Sequence, residues 1–127
     1  LGDPKMSISD TSDFKGFEYN VIRNNLIKIG FNAAINNAFD RDVIIQVDFL
    51  DSTGFIVYSF APILAAKNNL NIKNLEEIFI ATNPNILNTT QIRIIATIDN
   101  IANPMNANDT SKFELKSSVT LYIESEF

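Results

Sequence analysis

The sequence predicts an all-β fold, a single antiparallel two-sheet sandwich, on three observations. Apolar residues recur at every second position over several segments, the period of a half-buried strand rather than of a helix. Clusters of Asn, Asp and Gly fall between those segments, where turns need residues that tolerate left-handed backbone and bond locally. Apolar residues make up 46% of the 127 positions, enough for a core, yet they are dispersed and no run approaches a membrane-spanning length.

Taken in order, residues 1–13 are polar and are expected to form a flexible N-terminal segment, with the sandwich occupying 14–127. Phe17, Tyr19 and Val21 predict a first strand. From Leu26 to Ile35, Ile27, Ile29, Phe31, Ala33 and Ile35 alternate with Lys28, Gly30, Asn32 and Ala34. Val43, Ile45, Val47 and Phe49 then alternate with Gln46 and Asp48, after turn chemistry at Asn36-Asn37 and Asp40-Arg41-Asp42. Asp51-Ser52-Thr53-Gly54 reads as a hairpin turn, aspartate opening and glycine closing it. A strand from Phe55 to Phe60 follows, with Ile56, Tyr58 and Phe60 facing the core. Lys67 to Asn74 reads as a polar loop, and Glu77 to Ala81 as a short strand, with a helix over Leu75 to Phe79 as the alternative. Asn83-Pro84 starts one helical turn, since proline suits the first helical position. Thr90 to Asp99 forms a strand with Ile92, Ile94, Ala96 and Ile98 on one face. Asn100 to Lys112 is a second long loop. In the last strand Phe113, Leu115, Val119, Leu121 and Ile123 oppose Glu114, Lys116, Ser118, Thr120 and Tyr122. About seven strands result, the number expected of an immunoglobulin- or fibronectin III-like sandwich.

Composition narrows the chemistry. The chain has no Cys, His or Trp. It therefore lacks thiol nucleophiles, zinc–thiolate sites, disulfides and any histidine-based triad or ligand. Fifteen acids against ten bases give a net charge of −5, and no basic stripe interrupts that balance, so nucleic acid is not an expected partner. The sequence reading is of a protein that is not an enzyme. A carboxylate pair for glycoside hydrolysis is the one catalytic arrangement left, and scattered acids do not supply its cleft and set separation.

Two clusters qualify as candidate sites. Asp40 and Asp42, with Asp48 and Asp51 nearby in sequence, offer oxygen ligands for a hard cation such as calcium, although without the glycine and closing glutamate of an EF-hand loop. Solvated turn carboxylates are the competing reading. The loop holding Asp99, Asn100, Asn103, Asn106, Asn108 and Asp109 offers amides and carboxylates that pair with sugar hydroxyls or calcium; Asp99, Asn106, Asn108 and Asp109 are its candidate ligand-binding residues. Asparagine is abundant throughout the chain, however, which dilutes that enrichment. Tyr19, Tyr58 and Tyr122 are candidates for an aromatic sugar platform, with core or cross-strand packing as the alternative. Asn88-Thr89-Thr90 and Asn108-Asp109-Thr110 match the N-glycosylation pattern, and Asp51-Ser52-Thr53 resembles a short bacterial O-glycosylation acceptor.

The stretch Ile29 to Tyr58, with Asn36-Asn37, Phe39-Asp40, Val47-Asp48-Phe49-Leu50-Asp51 and Gly54, is similar to immunoglobulin-like sandwich domains of Bacteroidetes surface lipoproteins. It departs from them in lacking a lipobox cysteine, a Cys–Trp–Cys core and a tyrosine corner. The resemblance implies an extracellular or cell-envelope location, as a module of a longer protein, and transfers no functional residue. Leu1-Gly2-Asp3-Pro4 carries no features of a leader, consistent with a domain cut from a precursor. The expected function is a non-catalytic module acting in protein interaction or as a structural spacer, with an unidentified protein or glycan as partner. The alternative is a carbohydrate- or calcium-binding module using the 99–109 loop.

Overall fold

Alternation with period two resolves into two antiparallel sheets. The computed structural model describes residues 5–99 and 112–124. Its elements are β1 (Lys5–Asp13), α1 (Asn20–Asn25), β2 (Leu26–Asn37), β3 (Val43–Leu50), β4 (Ile56–Ser59), β5 (Ile63–Ala65), β6 (Asn69–Phe79), a 3₁₀ turn (Pro84–Asn88), β7 (Gln91–Asp99) and β8 (Phe113–Ile123). The larger sheet runs β1-β7-β3-β4 with β5 also on β3, and the smaller runs β6-β2-β8. The chain is thus the two-sheet antiparallel sandwich that its pattern predicts. No helix among the described residues is long and apolar enough to cross a membrane.

The core lies between β2 and β3. Ile29, Phe31, Ala33 and Ile35 from one sheet meet Val43, Ile45, Val47 and Phe49 from the other, all buried. Phe31, Phe49 and Phe60 form an aromatic knot, with ring centroids 5.0 to 6.2 Å apart. Such contacts add to what apolar burial contributes. Three register shifts interrupt the ladders, one where β6 passes Ile35 to Asn37, and the other two redirect apolar side chains. Ile27 is an extra residue against β8, so Leu26 turns inward and Ile27 is exposed. Val57 is likewise extra against β3, so Ile56 points outward and Tyr58 and Phe60 inward. The expected single face of Ile56, Tyr58 and Phe60 is therefore split.

β4 and β5 occupy successive stretches of one edge of β3, opposite Asp48–Leu50 and Val43–Ile45. Pro62 lies between them and has no N–H for the ladder. Gln46 Nε2 donates to the Phe60 carbonyl at 2.8 Å, satisfying the backbone where the ladder is interrupted. Buried Asn37 ties the two sheets at their other end. Its Nδ2 donates to the carbonyls of Ala65, Arg41 and Ala66, and its Oδ1 accepts from Phe39 N–H at 2.9 Å.

Three local expectations are corrected. Lys5–Asp13 is a strand, not a flexible segment: it pairs residue for residue with β7, from Lys5 opposite Asp99 to Asp13 opposite Gln91. All nine of its side chains are exposed, so backbone pairing holds it and hydrophobic periodicity gives no sign of it. The Phe17–Val21 strand is replaced by a turn and α1, in which Ile22 and Arg23 N–H groups donate to the Tyr19 carbonyl. Buried Phe17 is anchored edge-on by Phe14 instead of by alternation. The polar stretch from 69 to 74 extends β6, an edge strand whose side chains mostly face water. Eight strands among the described residues replace the expected seven.

Candidate functional site

Asp40 and Asp42 lie in the β2–β3 connection, both exposed. Asp42 Oδ1 accepts from Lys67 N–H at 2.9 Å, and Asp40 Oδ1 from the Asn68 amide at 3.3 Å. The pair clasps one loop to another, and the described residues bring no group of three or more acidic ligands together around it. Asp48 and Asp51 are elsewhere. Asp51 Oδ1 accepts from Thr53 N–H, Thr53 Oγ1 and Phe55 N–H, closing the turn in which Gly54 takes φ +87°. Thr53 and its amide hold the Asp51 carboxyl below the usual range. Asp99 ends β7 opposite Lys5, and its side chain lies outside the described residues, as do Asn106, Asn108 and Asp109.

Asp48 is buried on the outward side of β3, where β7 and β4 flank it. Arg93 Nη2 reaches its Oδ2 at 2.8 Å; Ser59 Oγ and Gln46 Nε2 donate to Oδ1 at 2.7 and 3.2 Å. Burial alone would raise its pKa, but the hydrogen bonds from Arg93 and Ser59 and the Arg93 charge hold it below the ordinary aspartate value. Three donors from β3, β4 and β7 thus already hold this carboxylate, and the cluster braces the sheet.

The three tyrosines do not form a platform. Tyr58 packs edge-on against Phe60 in the core, Tyr19 precedes α1, and Tyr122 stands on the outer face of the smaller sheet. That outer face holds the best candidate. Its central strand presents Lys28, Gly30, Asn32, Ala34 and Asn36, small or polar side chains that leave a trough between taller neighbours. Register sets the rows: Phe79, Lys28 and Tyr122; then Glu77, Gly30 and Thr120; then Leu75, Asn32 and Ser118; then Lys73, Ala34 and Lys116. The trough is about 460 Å³, lined chiefly by Asn32, Ala34, Lys73, Leu75, Lys116 and Ser118.

Charge divides this face in two. Lys28 pairs with Glu77, and its Nζ stands 4.7 Å from the Tyr122 ring centroid and 5.6 Å from that of Phe79. The Glu77 hydrogen bond raises its pKa, partly opposed by desolvation. Lys73 and Lys116 have no such partner: among the described residues neither makes an ion pair, and the Asn32 and Ser118 side chains make no hydrogen bond. A second cleft, about 440 Å³, lies at one end of the sandwich among Phe14, Phe17, Arg23, Asp51 and Leu87. There Arg23 Nη1 is already committed to the carbonyls of Leu87 (2.7 Å) and Phe17 (3.2 Å), and Asp51 to its turn. Uncommitted donors favour the trough. The outward set of β2 is visible in sequence, but which strands flank it is not, because that needs the pairing of residues distant in the chain, such as Ala34 with Lys73 and Lys116.

No family model matches the sequence, and no curated protein does. Among solved structures, this chain is similar to one of the infectious bursal disease virus Gx strain, at 14% identity and a TM-score of 0.39. It is also similar to the VP2 subviral particle of infectious bursal disease virus, at 12% identity and the same TM-score. These matches cover 94% and 93% of this chain but only 26% of each viral chain, so the chain spans about a quarter of their length.

Proposed function

We propose that this chain is a non-catalytic binding module of a secreted or cell-envelope protein and that the outer face of its smaller sheet is the contact surface. The observation that carries this reading is the trough over Asn32 and Ala34, with Lys73 on one wall and Lys116 and Ser118 on the other making no ion pair or hydrogen bond among the described residues. Concave sites with a few convergent polar groups are where ligands are held. Support for binding rather than turnover comes from the acids. Glu76 is the one carboxyl among the described residues pushed upward; burial is the cause, and its electrostatic neighbour is the Tyr58 phenol, not a second carboxylate. The extracellular or envelope setting rests on the sequence resemblance alone.

Ala34 is exposed at the trough floor, so Ala34→Trp fills it without entering the core. The test is a thermal-shift panel of neutral and acidic oligosaccharides, with calcium and chelator, on wild type and Ala34→Trp. A ligand at a hundred times its Kd adds about 2.7 kcal/mol to stability. A shift seen in wild type and lost in the variant supports the reading; a flat panel, or equal shifts in both proteins, sinks it. A second reading, a protein-interaction module, is favoured by β8. Its outer edge is unpaired among the described residues over eleven residues, with no proline to interrupt it.

A further inference from the structure

The trough carries a feature that a neutral ligand would not need. Lys73 and Lys116 both stand opposite Ala34, from the two flanking strands. Two strand spacings separate their backbones by about 10 Å, so two long side chains reach the same volume above Ala34. Like charges facing across a small residue repel unless an anion lies between them, and no carboxylate of the described residues pairs with either. Glu77 on this face is neutralised by Lys28. Glu114, two residues before Lys116 and opposite Asn36, lines the adjoining hollow on the far side of Lys73 and Lys116, at the lower end of the trough. Further up, Tyr122 and Leu75 lie over Gly30, where an added Cβ would meet Tyr122 Cε2 at 3.4 Å and Leu75 Cδ1 at 3.5 Å, ordinary contact distances. The trough thus holds the Asn32 amide and Ser118 hydroxyl beside the two lysines, and the half-exposed Tyr122 ring stands three rows further along the same face.

Resting on the binding-module reading, we propose that the trough binds an acidic oligosaccharide, a uronic acid in the chain placing its carboxylate between Lys73 and Lys116. An acidic peptide fits less well. The floor is a sheet face whose N–H and C=O groups are spent in the β6-β2-β8 ladder, so it offers a peptide backbone nothing. Side-chain amide, hydroxyl and ammonium groups match sugar hydroxyls and a carboxylate. The net charge of −5 does not oppose this at close range, because charges more than about 8 Å away are largely screened at physiological salt. It does oppose a long, uniformly charged polymer, and Glu114 stands at the lower exit. The acid therefore sits at the Lys73–Lys116 row, with the chain continuing towards Tyr122.

The experiment is an NMR titration of the isotope-labelled protein with trigalacturonate, its methyl ester, a neutral trisaccharide and a glutamate hexapeptide. The acid sugar is expected to move amide signals of residues 32–34, 73–75 and 116–118. The ester should bind about tenfold more weakly, as should Lys73→Gln and Lys116→Gln, each with an otherwise unchanged spectrum. Equal affinity for acid and ester, or full affinity in Lys73→Gln/Lys116→Gln, overturns the carboxylate subsite. A glutamate peptide matching the acid sugar overturns the saccharide assignment. If neutral sugars alone move the trough signals, the binding face stands and the acid subsite falls; if no sugar moves them, both fall.

Discussion

Removing Arg93 should destabilise this domain more than removing its partner, because the two ends of the pair are unequally buried. The Asp48 side chain is 5% exposed and that of Arg93 30%. In Arg93→Ala the carboxylate keeps Ser59 and Gln46 but loses its only counter-charge within 4 Å among the described residues. Breaking a buried pair in this way costs about 3–5 kcal/mol. An upper limit comes from neutralisation. An unfolded aspartate titrates near 3.9, so protonating it at pH 7 costs about 4 kcal/mol, and the protein takes that route if keeping the charge costs more. The expectation is thus about 3–4 kcal/mol at neutral pH, against about 1–2 kcal/mol for Asp48→Ala, which leaves an arginine able to regain water. The sign with pH follows. In wild type the native pKa lies below the unfolded value. The contribution of Asp48 is then complete above about pH 4 and is lost as pH falls through the native value. Burial is the largest influence on Asp48, so with the Arg93 hydrogen bond and charge gone its native pKa is expected to rise above the unfolded value, and the penalty is then largest at pH 7 and shrinks towards pH 4. Urea unfolding at several pH values, with m checked for constancy, reads this directly. A penalty below about 1 kcal/mol at pH 7, or one that does not change between pH 7 and 4, refutes the reasoning.

Other substitutions probe other parts of the structure. Phe49→Ala, at the centre of the aromatic knot and fully buried, should cost about 3–5 kcal/mol in urea unfolding. Asn37→Ala strips partners from three carbonyls and one N–H in a buried setting, and a loss of about 2–4 kcal/mol is expected by the same measurement. Gly54→Ala has no Cβ contact within 4 Å, so any loss is conformational; φ of +87° sets it at about 1–2 kcal/mol, seen as a lower Tm. Gly30→Ala places a Cβ at ordinary contact distance from Tyr122 and Leu75, so stability should stay within about 1 kcal/mol of wild type, read as little change in Tm.

Sequence legibility here follows how each strand is stabilised. β2 and β3 bury one face and β8 half-buries one, so alternation announces them almost to their ends. β1 and the first half of β6 are held by backbone ladders at sheet edges with their side chains mostly in water, Met6, Ile8 and Leu70 included, so no buried face marks them off from loops. Bulges at Ile27 and Val57 are equally silent, since one extra residue changes parity only relative to a partner strand. The Asp51–Gly54 turn was readable because its chemistry is local: one carboxylate, three donors and one glycine within five residues. The trough was half readable. Gly30, Asn32 and Ala34 stand out as the outward set of β2, but Lys73 and Lys116 meet only through the fold.

That division makes the proposed site unusually open to test. On β2, residues at one parity build the core and those at the other face outward, Asn32 and Ala34 into the trough, so Ile29, Phe31, Ala33 and Ile35 never share a face with Gly30, Asn32 and Ala34. A change at an outward position alters shape and charge on the surface and leaves the buried contacts in place. Loss of ligand and loss of fold should then separate cleanly along a single strand. Asn32→Ala and Ile29→Ala, three residues apart, should fail in opposite assays: the first in sugar titration at unchanged Tm, the second in unfolding, with about 2–5 kcal/mol lost to the cavity. If Asn32→Ala instead lowers Tm as far as Ile29→Ala does, the outer face contributes to the fold, and the argument that its polar groups are free for a ligand is lost.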